Sequence, residues 1–462
     1  MTTRQPATET RPVALTVAGS DSGGGAGIQA DVKTMEAHAA FATSALTSVT
    51  AQHTRGVESV HVLPETEVLA QIDAVCGDFD VQAVKTGMLA TEGIVQTVTD
   101  RLAGLDGPLV VDPVMVATSG DRLLDHAAER AYESLVAAAT LVTPNADEAA
   151  VLTDIEPTDV ASAREAGAEL LAMGADAALV KGGHVPGDEV VDVLVTADDT
   201  TTFRHPRIAD ATTHGSGCTL SAAITARLAQ GDDLEPAVAS GIEYIQRAIR
   251  YATDVGAGDG AVNHFVDVRN DAAARETLAA VESVVATFVD HDIAVLVPEV
   301  GMNVVGALPT AETPEETVAV DGRITRTRYG VRPNGGVRFG ASSHVARFLC
   351  AAREHVPDRR FAVNCRFGDD VDRALADLGW PIAEYDRADQ PTPDEEGNTM
   401  GWAARHTFGG DAPTPYAVLD RGAPGKESMC KLVASDADTL TERTLALCET
   451  LSASRETGSE AA

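Results

Sequence analysis

Lysine, aromatic side chains and long apolar runs are all scarce in this sequence of 462 residues. The 35 basic residues include only five lysines (33, 85, 181, 426 and 431), and aromatic residues make up 4% of the chain. No apolar run approaches the roughly 20 residues of a membrane-spanning helix. The polar start MTTRQPATETRP has no apolar signal-peptide core. We therefore expect a soluble cytoplasmic protein without membrane partners.

Paired cysteines are also missing. The six cysteines are scattered and form no CxxC pair (Cys76, Cys218, Cys350, Cys365, Cys430, Cys448). This spacing argues against a structural zinc site and against a disulfide framework, and it favours a reducing compartment.

Basic charge is outnumbered two to one. The 70 acidic residues give a formal net charge of -35, and they are spread along foldable sequence rather than gathered in a tail. Such a surface repels itself at low salt and is screened at high salt, so we interpret it as adaptation to a salt-rich cytoplasm. Codon bias would explain arginine in place of lysine but not the acidic excess. The same surface disfavours nucleic-acid binding, which needs basic patches.

Short apolar runs alternate with helical patterns from residue 12 onward. PVALTVAGS, VQAVKTGML, PLVVDPVMV and AALVKGGH are typical of buried strands, and the segments between them of helices. The pattern predicts an α/β domain over 12–268, with a mostly parallel sheet covered by helices on both faces. It changes near residue 270, where NDAAARETLAAVESVVATFVDH (270–291) predicts one helix. A second α/β domain is expected over 275–450, with disordered tails at 1–11 and 452–462.

Several polar loops follow the predicted strands, where such folds bind ligands. GSDSGGGAGIQAD (19–31) is either a ligand-binding glycine loop or a structural turn. TPNADE (143–148) places Asn145 and Glu148 three residues apart, as a helix cap or as ligands of metal and phosphate. VKGGH (180–184) places Lys181 where its ammonium can reach phosphate oxygens.

Two glycine loops compete as the anion site. HGSGC (214–218) runs directly into the helical pattern TLSAAITARLA, so its amides lie at a helix N-terminus and form an anion hole. DVGAGD (254–259) leads into no helix and is interpreted as a terminal loop. The last polar residue of HGSGC is Cys218, where a carboxylate base would be a more usual choice.

These motifs together resemble the hydroxymethylpyrimidine/phosphomethylpyrimidine kinases, which are ribokinase-like enzymes of thiamine biosynthesis. The resemblance rests on GSDSGGGAGIQADVKT, TAQHTRGV, KTGML, DPVMVATSGDRLL, TPNADEA, KGGH and HGSGCTLSAA. Pyrimidine kinases of this type place a cysteine after the glycine loop, where most ribokinase-like enzymes place an aspartate. Ser22, where many members have proline, and Ser216 depart from the pattern without changing its small, polar character.

The resemblance implies stepwise phosphorylation of hydroxymethylpyrimidine by ATP with Mg²⁺, in a chain that often forms dimers. It assigns the pyrimidine to Gln52, with Gly19, Asp31 and Val114 lining the pocket. It assigns the moving phosphoryl group to Lys181 and to the amides of Gly215, Ser216, Gly217 and Cys218. It assigns the nucleotide to Asn145 and Glu148, and Mg²⁺ to Glu148 and Asp112.

The thiol of Cys218 has three possible roles. It assists removal of the hydroxymethyl proton, it contributes only its amide to the anion hole, or it is buried packing. Because a helix N-terminus lowers a thiol pKa, we expect partial thiolate.

Four stretches stand out in the second region: LVPEVGMNVVGA (296–307), DGRITR (321–326), FGASSHVARFL (339–349) and LDRGAPGKESMCKL (419–432). Ser342 or Ser343 is a candidate helix cap beside His344. Lys426 lies in a glycine loop that suits phosphate, while Glu427 beside it is interpreted as a solvated partner.

These stretches resemble the ThiN-type thiamine phosphate synthase domain that archaea fuse to this kinase. That resemblance implies condensation of the pyrimidine pyrophosphate with thiazole phosphate, with Arg323, His344, Arg347 and Lys426 neutralising pyrophosphate. Two alternatives stay open. The second domain is a non-catalytic thiamine phosphate sensor, or the first domain is a pyridoxal kinase.

Overall fold

The computed structural model describes residues 5, 7–115, 130–183, 185–387, 396–410, 413–422 and 426–460. The motif residues 116–124, His184 and residues 423–425 lie outside the described residues, as do residues 125–129 at the start of a predicted helix. The chain divides into two compact units, Met1–Asp267 and Val268–Ala462. Within the described part, no helix combines the length and apolar character that crossing a membrane requires.

The first unit is built on an eight-stranded sheet in the order β10-β9-β8-β7-β6-β5-β1-β2. Six neighbouring strands are parallel, and β9 and β10 add an antiparallel edge. The central strands are apolar throughout because helices cover both faces, so neither face alternates with polar residues. The strands are β1 Val13–Ala18, β2 Phe41–Leu46, β5 Val81–Thr86, β6 Leu109–Val111, β7 Leu141–Val142, β8 Ala177–Val180, β9 Glu189–Thr196 and β10 Thr200–Pro206.

A separate antiparallel hairpin stands outside this sheet and consists of β3 Ser48–His53 and β4 Gly56–Val62. The helices of the first unit are α1 Gly27–Ala37, α2 Glu65–Asp78, α3 Glu92–Leu102, α4 Tyr132–Val136, α5 Ala146–Thr153, α6 Val160–Ala172, α7 Ser216–Ala229 and α8 Leu234–Arg250. Helix α7 is buried along nearly its whole length, which explains why its sequence consists of small and apolar residues.

The second unit has a seven-stranded sheet in the order β15-β12-β11-β16-β19-β18-β17. All its pairings are antiparallel except β17 with β18. The sheet strands are β11 Val304–Ala307, β12 Thr317–Val320, β15 Val337–Phe339, β16 Phe361–Arg366, β17 Ile382–Tyr385, β18 Ala417–Asp420 and β19 Met429–Ala434; β13 Ile324–Thr327 and β14 Gly330–Pro333 form a hairpin. The helices are α9 Val266–Ala272, which begins in the first unit, α10 Ala274–Asp290, α11 His344–Arg353, α12 Asp369–Leu378, α13 Glu396–Phe408 and α14 Ala437–Glu460.

The described elements differ from the sequence prediction at three places. The strand expected over ATSALTSVTAQ divides at Thr47, whose N–H and hydroxyl donate to Ala18 and Met88 and turn the chain out of the sheet. The helix expected over 270–291 breaks at Ala273, because Asn270 is held by Glu316 and Thr310. Helix α14 continues to Glu460, where the sequence predicts a disordered tail from 452.

Candidate active site

A cavity of about 680 Å³ opens at the carboxyl ends of the parallel strands in the first unit. The loops after β1, β5, β6, β7 and β8 all contribute to its wall, as the position of the polar motifs predicted. Its lining includes most of the predicted kinase residues: Gly19, Gln52, Asp112, Val114, Asn145, Glu148, Lys181, Gly215, Ser216, Gly217 and Cys218. Asp31 is not among the residues that line it.

Gly19 lies beside Met88 in the cavity lining, which also includes Gln52 and Val114. A Cβ at Gly19 would lie 2.6 Å from the Ser48 hydroxyl and 3.1 Å from the Met88 sulfur, so any side chain there would displace one of them. Gln52 is carried by the β3–β4 hairpin, and its side-chain oxygen accepts a hydrogen bond from Thr50. Together these residues offer apolar surface and a polar side chain, which suits an aromatic ring with a polar edge.

The glycine loop 19–27 is organised by Asp21, a residue of the predicted loop for which no role was predicted. Its carboxylate accepts the N–H groups of Gly23, Gly25 and Ala26 at 2.8–2.9 Å and lies 3.3 Å from His214 Nε2. Burial favours the protonated acid, but the hydrogen bonds from His214 and the loop amides hold the pKa of Asp21 below its usual value. These loop amides therefore bind an internal carboxylate, which favours the structural-turn interpretation for 21–26.

Asp31 lies in the core beneath the loop. It has no exposed surface, and its carboxylate accepts from Lys85 Nζ and Thr16 Oγ1 at 2.6 Å each. Burial favours the neutral amine, but the Asp31 carboxylate holds the pKa of Lys85 above its usual value. In the structure Asp31 is thus half of a buried ion pair, rather than a wall of the pyrimidine pocket. Its position on the inward face of α1 explains the difference.

Lys181 and Asp112 meet at the wall of the cavity. Asp112 follows β6, and its Oδ1 accepts from Lys181 Nζ and from Thr143 Oγ1, each at 3.2 Å. Although burial favours the neutral amine, the carboxylates of Asp112 and Glu148 raise the pKa of Lys181. Lys181 is therefore a fixed ammonium at the site of an incoming anion.

Asn145 and Glu148 form a capping box at the start of α5. The Asn145 side chain accepts from the Glu148 N–H and the Glu148 carboxylate from the Asn145 N–H, both at 2.9 Å. The cap that the sequence offered as one alternative is thus present, and both residues also line the cavity. Burial raises the pKa of Glu148 to about 7, partly offset by Lys181 and reinforced by Asp112.

The start of α7 is the place where HGSGC predicts an anion hole. Gly215 takes a left-handed conformation (φ 81°), which turns the chain into the helix, and any Cβ there would meet the Gly25 carbonyl oxygen. The Ser216 N–H donates to Thr213, so it is not available for a ligand. Among the described residues, the N–H groups of Gly217 and Cys218 have no protein acceptor. These two donors and Lys181 line the same cavity, since a Cβ on Gly217 would lie 3.2 Å from Lys181 Nζ.

Cys218 is not a thiolate in this setting, contrary to the sequence expectation. Burial raises the pKa of its thiol to about 11, despite the nearby Lys85 ammonium and a hydrogen bond from the Gly27 N–H. Burial therefore outweighs the Lys85 ammonium and the hydrogen bond from Gly27.

We expect alkylation of Cys218 by iodoacetamide to quicken about tenfold per pH unit between pH 7 and pH 10, because only the rare thiolate reacts. Peptide mass spectrometry would measure the rate at Cys218 alone. A rate that levels off below pH 8 would show that the thiol ionises near neutrality and that burial does not dominate.

The loop DVGAGD does not line the cavity. It packs on the tip of the β3–β4 hairpin, where the Gly258 N–H donates to Thr54 Oγ1 at 3.0 Å. This agrees with its interpretation as a loop distinct from the anion hole.

In the second unit, Arg323 and Lys426 are both exposed, as a phosphate-binding site requires. Arg323 has a left-handed backbone (φ 71°) and donates to the Val300 carbonyl. Glu427 accepts from the N–H groups of Glu299 and Val300 at 2.9 and 3.2 Å. Glu427 is thus a structural anchor, and its interpretation as a solvated partner of Lys426 is wrong. The backbone of Val300 links the two residues, because its N–H donates to Glu427 and its carbonyl accepts from Arg323.

His344 begins α11, and its Nδ1 lies 3.2 Å from the hydroxyl of Ser343, which makes no side-chain cap. Arg347 is exposed one turn later. Within the described residues, no hydrogen bond or ion pair joins His344 or Arg347 to Arg323 or Lys426.

A buried polar cluster joins the ends of β17 and β18 to β19, and it was not predicted from the sequence. Asp420 accepts from Tyr385 Oη (2.8 Å), from Arg387 Nη2 (2.6 Å) and from the Gly422 N–H (3.0 Å). Lys431 Nζ donates to Tyr385 Oη at 3.0 Å. Burial lowers the pKa of Lys431 to about 8, against the effect of Asp420. The scarcity of lysine was the signal that could have marked this residue.

Comparison with known proteins covers both units. Residues 21–263 match the family described as phosphomethylpyrimidine kinase, and residues 280–446 match the family described as thiamine-phosphate synthase ThiN. The hydroxymethylpyrimidine/phosphomethylpyrimidine kinase of Streptomyces coelicolor is 48% identical over 256 residues, which cover 55% of this chain and 95% of that protein. The thiamine biosynthesis bifunctional protein ThiED of Geobacter sulfurreducens is 46% identical, over 55% of this chain and 53% of that protein.

Among solved structures, an ADP complex of Bacillus subtilis pyridoxal kinase has a TM-score of 0.52 and 32% identity, covering 56% of this chain and 98% of the other. The first unit thus shares its fold with a vitamin kinase, and the second unit carries a ThiN region. Since one family match spans more than half of the sequence, the chain belongs to the phosphomethylpyrimidine kinase family.

Proposed function

We propose that the first unit phosphorylates hydroxymethylpyrimidine with ATP, first to the monophosphate and then to the pyrophosphate. The observation that carries this proposal is the convergence of Lys181 and the free N–H groups of Gly217 and Cys218 in one cavity. An ammonium and two helix-terminal amides stabilise the charge on a phosphoryl group in transfer.

Gln52 and the walls around it hold the pyrimidine at the hairpin end, with its hydroxymethyl oxygen toward Cys218. The oxygen attacks the γ-phosphorus of ATP, the bond from phosphorus to the bridging oxygen breaks, and ADP leaves. The hydroxyl proton passes to an oxygen of the transferred phosphoryl group as the new bond forms, and from there to water. A loose transition state needs little help from a base, so a neutral Cys218 thiol is compatible with the reaction. In the second transfer, the phosphate group of the monophosphate takes the position that the hydroxymethyl oxygen had in the first.

Mg²⁺ fits the carboxylates of Asp112 and Glu148 in chemical type, since both are buried at the cavity wall beside the nucleotide region. Burial, reinforced by the Asp112 carboxylate, raises the pKa of Glu148, and a divalent cation would offset the repulsion between the two carboxylates. When bound with ATP it would neutralise phosphate charge. Lys181 and the α7 amides then orient the γ-phosphoryl group.

The second unit condenses the pyrimidine pyrophosphate with thiazole phosphate to give thiamine monophosphate. The bond from the pyrimidine methylene to pyrophosphate breaks, the thiazole nitrogen supplies the electron pair of the new bond, and pyrophosphate leaves. Arg323 and Lys426 neutralise the leaving group, with His344 and Arg347 as further candidates. A sensor without catalysis is the alternative for this unit.

We expect Glu427→Ala to lower thiamine monophosphate formation from supplied pyrimidine pyrophosphate and thiazole phosphate about tenfold. The Val300 backbone then loses the carboxylate that holds it, and Arg323, which donates to the Val300 carbonyl, loses its support. Glu427→Gln keeps one acceptor oxygen, so we expect a smaller loss of thiamine monophosphate formation. Glu442→Ala, an exposed acid elsewhere in this unit, is the matched control. Equal rates in Glu427→Ala and Glu442→Ala would contradict a positioning role.

The charge distribution supports a salt-rich cytoplasm as the working environment. Only six acidic residues of the described part are buried (Asp21, Asp31, Asp112, Glu148, Asp192, Asp420), so the acidic excess lies mainly on the surface. We expect the melting temperature to rise from low to molar KCl, as screening weakens self-repulsion. Calorimetry would measure it, and a flat or falling melting temperature would contradict salt adaptation.

The kinase proposal is tested by offering hydroxymethylpyrimidine and pyridoxal separately with ATP and Mg²⁺ in molar KCl. Formation of the pyrimidine monophosphate followed by the pyrophosphate supports it. A higher kcat/KM for pyridoxal would favour the pyridoxal kinase alternative, to which the fold alone is equally suited.

A further inference from the structure

Two segments fix the β3–β4 hairpin over the cavity, and neither belongs to the anion hole. The first is Ser22 in the glycine loop. Its hydroxyl donates to the Gln52 carbonyl at 2.7 Å and accepts the Gln52 N–H at 2.8 Å. Ser22 therefore binds both backbone groups of the residue whose side chain is assigned to the pyrimidine.

The second segment is the loop 254–259, at the tip of the hairpin. Besides the bond from the Gly258 N–H to Thr54, a Cβ at Gly258 would lie 2.2 Å from the Thr54 carbonyl oxygen. A Cβ at Gly256 would lie 2.6 Å from Thr54 Oγ1. The glycines of DVGAGD thus permit a backbone approach to the hairpin that no other residue allows.

The same loop is also tied to the segment that leads into the anion hole, because Thr212 Oγ1 donates to the Asp259 carbonyl. The glycine loop reaches this segment too, through Asp21 and His214. The glycine loop and the loop 254–259 therefore each contact both the β3–β4 hairpin, which carries Gln52, and the segment that leads to Gly217 and Cys218.

We propose that Ser22 and the loop 254–259 are positioning elements that clamp the β3–β4 hairpin, and so place Gln52 against the pyrimidine ring. This rests on the proposed kinase function of the first unit. DVGAGD thereby acquires a role in substrate recognition without touching the substrate. A proline at position 22 would lack the hydroxyl, so this chain holds Gln52 by a contact that a proline cannot make.

Gly258→Ala is the sharpest test, because the φ of Gly258 lies outside the left-handed region and alanine is locally tolerated. Its methyl group collides only with the hairpin tip. Gly77→Ala, at a helical glycine with open space around it, is the matched control. Ser22→Ala and Ser22→Thr form the second pair, since threonine restores the hydroxyl.

Two readouts are needed on the full-length chain in molar KCl. The first is the KM for hydroxymethylpyrimidine, which we expect to rise about tenfold in Gly258→Ala and Ser22→Ala, with a smaller change in kcat. The second is the rate of trypsin cleavage after Arg55, at the hairpin tip, followed by mass spectrometry without substrate. We expect faster cleavage in Gly258→Ala than in Gly77→Ala.

Unchanged KM and unchanged cleavage in Gly258→Ala would overturn the clamp. Faster cleavage with unchanged KM would overturn its role in placing Gln52, and raised KM with unchanged cleavage would overturn the mechanical explanation. If Ser22→Thr raised the KM as much as Ser22→Ala, the Ser22 hydroxyl would not be what positions Gln52. If wild-type protein does not phosphorylate hydroxymethylpyrimidine, the proposed function fails, while the cleavage comparison still tests the clamp itself.

Discussion

Replacing Lys181 with methionine will lower the kcat of pyrimidine phosphorylation by about 10²–10³, which is the usual effect of removing one preorganised group that stabilises charge in a transition state. The ammonium lies 3.2 Å from Asp112 and beside the free amides of Gly217 and Cys218. In the variant, the moving phosphoryl group keeps the amides but loses the only lysine ammonium of the cavity wall described in the structure.

The KM for hydroxymethylpyrimidine will change little, because Gln52 and Lys181 act at different parts of the cavity. Steady-state assays of ADP formation measure both quantities. Synthesis of thiamine monophosphate from supplied pyrimidine pyrophosphate is the internal control and stays unchanged. A Lys181→Met enzyme with nearly normal kcat would show that this ammonium does not contact the transferred group.

Replacing Lys85 with methionine will destabilise the first unit by about 3–5 kcal/mol, because it leaves the Asp31 carboxylate buried without its cation. Both side chains of this pair are fully buried, and the atoms are 2.6 Å apart. The double variant Lys85→Met, Asp31→Leu removes the buried charge entirely and will recover most of the loss.

Differential scanning calorimetry in molar KCl measures this through the melting transition of the first unit. The comparison also distinguishes the two interpretations of Asp31. If the residue served mainly to bind pyrimidine, the double variant would be no more stable than Lys85→Met, and Asp31→Asn would change substrate affinity without affecting stability.

Much of the first unit could be predicted from its sequence because its strands are buried on both faces and its loops carry the chemistry. Apolar runs marked the strands, and Lys181, Gln52 and Gly217 line the cavity as predicted. The sequence position of a single acidic residue does not show whether its carboxylate faces a ligand or an amine in the core. Asp31 follows the glycine loop in sequence, but the helical turn of α1 directs it inward.

The residues that sequence reasoning missed are supported by partners far away along the chain. Asp21 depends on His214, 193 residues later, and Asp420 on Tyr385 and Arg387. Glu427 was assigned to its sequence neighbour Lys426, while its carboxylate binds the backbone at 299–300. Local patterns carry no information on such contacts. The partial thiolate expected at Cys218 was wrong for the same reason, because burial and groups distant in the sequence, such as Lys85, set the pKa of its thiol.

The central claim is that two consecutive reactions take place in this one chain. The most direct test supplies purified full-length protein with ATP, Mg²⁺, hydroxymethylpyrimidine and thiazole phosphate in molar KCl, and follows products by chromatography. We predict thiamine monophosphate from the wild type, and accumulation of the pyrimidine pyrophosphate alone in Arg323→Ala and His344→Ala. A wild type that accumulates the pyrophosphate and forms no thiamine monophosphate would contradict a catalytic second unit and favour a sensor.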